Sequence, residues 1–67
     1  MNQNQRLRQY LLAYGHIDPL TALSQLGIYR LSARILDLRY AGLSIETKRE
    51  TVPTRTGTAR VARYELL

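Results

Sequence analysis

Arginine supplies most of the binding chemistry this chain can offer. Nine of its ten cations are arginine, set against five carboxylates, and the formal net charge is +5. A guanidinium presents its donors in a planar fork that matches phosphate oxygens and base edges bidentately, so this balance points to an anionic partner. Arg30 and Arg34 stand four residues apart among Tyr29, Ser32 and Ala33, and Lys48, Arg49, Arg55, Arg60 and Arg63 follow Gly42. Other chemistries are poorly provided for. His16 is the single histidine, and although Asp18 lies close to it, no nucleophile is placed to be activated. There is no cysteine, hence no disulfide framework and no thiolate zinc site. No metal-ligand cluster, phosphate-loop glycine motif or carboxylate pair at a useful spacing is present. These absences predict a protein that is not an enzyme and needs no cofactor.

A chain of 67 residues forms one small domain and buries only about three fifths of the surface it exposes when unfolded, so its function belongs on its surface. The hydrophobic fraction of 45% and the regular Leu/Ile spacing predict a packed core. No run approaches the roughly 18 apolar residues of a membrane span, and the polar start Met1-Asn2-Gln3-Asn4-Gln5 leads into no apolar signal region. The expectation is a soluble cytoplasmic protein.

Leu7, Tyr10, Leu11 and Tyr14 recur at helical spacing and predict a first helix over about 4–14, stopped by Gly15. Asp18-Pro19 then marks a sharp second start, with Asp18 as cap and Pro19 at the first helical position. This helix, about 19–26, carries Leu20, Leu23 and Leu26 inward and ends at Gly27. Ile28, Leu31, Ile35 and Leu38 predict a third helix over about 29–41. A short helix, a glycine-containing turn of three or four residues and a more basic helix is the outline of a helix-turn-helix. After Gly42 the period falls to two and predicts a hairpin over about 43–66, turning at Pro53–Thr58, with Tyr64 and Leu66 facing Leu43 and Ile45 in the core. Ile17 is placed to add a short strand after the first helix. The fold class is α+β, a winged helix-turn-helix with three helices and a C-terminal two-stranded wing.

From Gly15 to Ile45 the chain, with its Pro-started helix carrying Ala22-Leu23, then Gly27-Ile28-Tyr-Arg30-Leu31-Ser-Ala33-Arg34-Ile35-Leu-Asp37-Leu38-Arg39 and Gly42, resembles the small winged helix-turn-helix proteins of bacteriophages and prophages. Tyr64-Glu65-Leu66 adds a weaker echo at the C-terminus. The resemblance implies DNA binding in a bacterial host cell, and it names no target. The segment from Thr47 to Thr58 matches no pattern of the family.

If the third helix enters a major groove, its N-terminal half meets base edges. Arg30 is then the candidate for bidentate contact with guanine, Tyr29 and Ser32 for hydrogen bonds to base or phosphate, and Ala33 for close approach or a thymine methyl. Arg34 reaches a phosphate or pairs with Asp37, three residues on. In the wing, Lys48, Arg49, Arg55 and Arg60 are candidates for phosphate contact, with Arg55 at the tip; the alternating charges of Glu46, Lys48 and Glu50 also suit an edge strand that discourages pairing with other chains. The expected partner is double-stranded DNA, bound by a monomer or weak homodimer that cooperates on adjacent sites, in a regulator of transcription or recombination. The alternative is a protein-interaction module, such as an inhibitor of a host protein, presenting Leu36, Tyr40 and Tyr29 as an apolar-aromatic patch.

Overall fold

Asn2 and Gln5 cap the first helix reciprocally, the Asn2 side chain accepting from the Gln5 amide at 2.8 Å and the Gln5 side chain from the Asn2 amide at 3.0 Å. The computed structural model describes residues 2–67, and this cap opens α1 (Gln3–Tyr14), one residue ahead of the expected start. Leu7 and Leu11 are fully buried, but Tyr14 is exposed and packs its ring at a tilt against half-buried Tyr10, 4.5 Å between ring centroids. Gly15 turns the chain into β1 (His16–Ile17), the short strand anticipated at Ile17.

Asp18 caps α2 (Pro19–Leu26) as its sequence predicts, accepting from the Thr21 amide at 2.6 Å. The buried face of this helix differs from expectation. Ala22 is fully enclosed and Leu26 half-buried, whereas Leu20 is 75% and Leu23 48% exposed. The cause lies in how the helix ends. Gly27 takes φ +67, and the amide of buried Ile28 returns to the Ala22 carbonyl at 3.0 Å. The rotation that buries Ile28 therefore turns Ala22 and Leu26 inward and the other two leucines outward.

Helix α3 (Leu31–Tyr40) starts two residues later than the periodicity suggests, so Tyr29 and Arg30 precede it. Arg30 occupies the cap position with no capping hydrogen bond from its side chain, as expected of a residue that lacks a short acceptor. Leu31, Ile35 and Leu38 are buried as read from the sequence. At the far end Gly42, at φ +104, closes a Schellman turn in which the Leu43 amide donates to Leu38 and the Gly42 amide to Arg39.

The remaining chain forms β2 (Ile45–Thr54) and β3 (Gly57–Leu66), in an antiparallel sheet ordered β1-β3-β2. The turn is tighter than expected: Thr54 pairs with Gly57, so only Arg55 and Thr56 form the loop, and Pro53 and Thr58 belong to the strands. Residues opposite one another share a face, which puts Ile45, Leu66 and Tyr64 toward the helices. They join Leu7, Leu11, Ile17, Ala22, Ile28, Leu31, Ile35 and Leu38 in one core. The hairpin projects beyond that core, and the molecule measures 38 × 22 × 20 Å.

Candidate nucleic-acid interface

The entrance to α3 gathers the first group of candidate residues. Tyr29, Arg30, Ala33 and Arg34 line an open depression of about 320 Å³, with Gln3 of α1 as its opposite wall. Tyr29 is 85% exposed, and Arg30 has no carboxylate partner among the described residues. Ser32, Leu36 and Tyr40 are exposed on the outer face of α3. Ala33, a candidate for close approach to a base, is half-buried, because the N-terminal turn of α1 lies against this flank of α3: the Asn4 amide group donates to the Asp37 carboxylate at 3.3 Å. Arg34 pairs with the same Asp37 oxygen through its Nε at 3.1 Å. Asp37 is thereby tied to Asn4 and Arg34 at the junction of two helices.

The hairpin register sorts the wing cations. Arg49 lies opposite Ala62, and Thr51 opposite Arg60, so Arg49 and Arg60 share one face while Arg55 stands in the turn. None of the three has a carboxylate partner among the described residues. Lys48, grouped with them by sequence, is on the other face, directly opposite Arg63. Two like charges in that position repel, and the carboxylates around them neutralise the repulsion. Lys48 reaches Glu65 at 3.1 Å, Arg63 reaches Glu50 at 2.9 Å, and Glu46 shares the face. The hydrogen bond and charge of Glu65, with a further contribution from Glu46, raise the Lys48 ammonium above its ordinary pKa. The wing thus carries free guanidiniums on one face and a mutually compensated set of charges on the other.

Three helices in the expected order and a two-stranded wing agree with a comparison of sequences. A family model described as a winged helix-turn-helix domain matches residues 2–67. The chain belongs to this winged helix-turn-helix family. No curated protein and no solved structure matches it. Membership of the family suggests DNA binding, and such domains are typically binding modules without catalysis. Among the described residues of the winged helix no helix is long and apolar enough to cross a membrane, and no cluster of three or more metal-ligating side chains occurs.

Two features of this winged helix escaped the sequence reading. Arg39 bridges the end of α3 to the start of the wing: its Nε and Nη2 donate to the Ile45 carbonyl at 3.1 and 2.9 Å, and Nη2 also donates to the Thr47 hydroxyl at 2.8 Å. No local motif announces this contact, because it depends on the Gly42 turn bringing the two elements together. The other is a groove between α2 and the wing, lined by Pro19, Leu20, Leu23, Tyr29, Val52 and Val61 and flanked by Asp18 and Glu50. Its signal was the apparent surplus of leucines on a short helix.

Proposed function

We propose that this winged helix binds double-stranded DNA and acts as a regulator of transcription or recombination, in keeping with the resemblance to phage and prophage proteins. The observation that carries this reading is a group of exposed arginines without carboxylate partners among the described residues, at the entrance to α3 (Arg30) and on one face and the tip of the wing (Arg49, Arg55, Arg60). The start of α3 reads bases, with Arg30 as the bidentate donor to guanine, Tyr29 and Ser32 as hydrogen-bonding side chains, and Ala33 allowing close approach. Arg34 and the three wing arginines hold phosphates and set the register. Lys48 supports the wing through Glu65 and is left out of the contact set.

A module of this size covers roughly 600–1,000 Å² of its own surface on DNA, so tight binding calls for two copies on adjacent half-sites. Replacing Arg49, Arg55 and Arg60 together with Gln should weaken binding about equally on all sequences and reduce the slope of log K against log salt by roughly 2–3. Arg30→Ala should instead relax sequence preference at a base step. Fluorescence anisotropy on selected and random duplexes reads both, and a triple variant that binds with the parent's affinity and slope contradicts the reading. A second reading, docking on a protein, is favoured by the groove between α2 and the wing. Its apolar walls and acidic rim suit a segment with apolar side chains beside a cation.

A further inference from the structure

Asp37 poses a difficulty for a DNA-binding surface, because a carboxylate on the helix that meets phosphates is repelled by them unless it has another task. Its geometry supplies one. The carboxylate faces the Nε side of Arg34 at 3.1 Å and accepts from Asn4 at 3.3 Å. Arg34 is held near Asp37 by an ion pair at its Nε, a charge contact without hydrogen-bond geometry, and yet lines the depression beside Arg30; its two Nη groups have no hydrogen-bond partner among the described residues. A long, flexible arginine gains most as a phosphate ligand when one edge of its fork is held and the other is left free, because less rotamer freedom is then lost on binding.

We propose that the depression between the first turn of α1 and the start of α3 is a subsite for a single backbone phosphate, gripped by Arg34 beside the base-reading Arg30, with Asp37 and Asn4 as the residues that position Arg34. The inference rests on the DNA-binding reading and adds a specific claim to it. A negative charge strengthens binding to a polyanion here, because it orients a guanidinium instead of facing the ligand. The site is open on the solvent side, as a ligand that remains part of a long duplex requires. It also brings α1 into the interface: Gln3 forms the far wall, and Asn4 anchors Asp37 from the same helical turn.

The test exploits the sign of the charge change. Asp37→Ala raises the net charge by one, and general electrostatics then demands tighter binding. The subsite demands weaker binding, by roughly 3- to 10-fold in anisotropy titrations of a short random-sequence duplex at low salt. Asp37→Glu, which can still reach Arg34, should restore affinity to within about 2-fold. Arg34→Ala should lower the salt slope by about one, and adding Asp37→Ala to it should cost nothing further, since the two residues act as a unit. Arg34→Lys serves as a second variant: it keeps the charge, loses the fork and should bind about as weakly as Arg34→Ala. Circular dichroism melts accompany each variant. Folded Asp37→Ala that binds as tightly as the parent or more tightly overturns the subsite, as does Arg34→Lys with parental affinity, while DNA binding itself stands. A parent protein that fails to bind the duplex at low salt overturns both.

Discussion

Lys48 and Arg63 face each other across the wing, and the three carboxylates on that face decide what the pair contributes. The Lys48 pKa is raised in the folded protein, chiefly by its hydrogen bond to Glu65 and by that residue's charge. A cation with a raised folded-state pKa adds stability that is fully present below its unfolded value, near 10.5, and is lost as pH rises through the folded value. Lys48→Met should therefore lower the melting temperature slightly at pH 7–9. The gap from the parent should close once pH exceeds the raised value, in melts monitored by circular dichroism. A gap that persists unchanged above that pH would show that Lys48 acts through packing and not charge. The sequence showed that positions 48 and 49 alternate, but their separation into a compensated face and a free face needed the pairing register. That register depends on the loop being Arg55-Thr56, and a sequence with several turn-forming residues between Pro53 and Thr58 does not single out those two.

Helix boundaries were most legible where a side chain caps a helix. Asp18-Pro19 fixed the start of α2, and Gly15, Gly27 and Gly42 marked the ends of the three helices. The same logic applied to Asn2-x-x-Gln5 would have placed the start of α1 correctly. The orientation of α2 was not legible, because two of its leucines, Leu20 and Leu23, belong to a helical stripe that the structure leaves exposed, and the turn that returns the Ile28 amide to the Ala22 carbonyl puts Ala22 inward instead. Between α3 and β2 the deciding contact is long-range. Arg39 satisfies the Ile45 carbonyl, which is partly buried, and holds the wing at a set angle. Arg39→Ala should lower stability by about 1–2 kcal/mol, a drop in Tm of roughly 5–10 °C for a domain this small. It should weaken DNA binding by more than the loss of one surface charge. An unchanged Tm in a differential scanning experiment would show that the wing is held by its sheet contacts alone.

At the scale of the whole molecule, the charge balance acquires a geometry. Carboxylates are occupied in caps and ion pairs, as Asp18, Asp37, Glu50 and Glu65 show, while Arg30, Arg49, Arg55 and Arg60 remain without such partners among the described residues. The net charge of +5 is thus presented mainly by residues suited to grip phosphates. Composition alone gave the sign and the class of partner. It could not show which arginines are spent inside the fold, since Arg39 and Arg63 read the same in sequence as Arg49 and Arg60. The central claim is that this surface binds double-stranded DNA through phosphate contacts. The most direct test is an anisotropy titration of the parent protein against a random duplex across a range of salt concentrations. The account predicts a log–log slope of about −3 to −5, corresponding to roughly three to six phosphates. Absence of binding at low salt, or affinity that is indifferent to salt, would contradict it and turn attention to a protein partner at the groove between α2 and the wing.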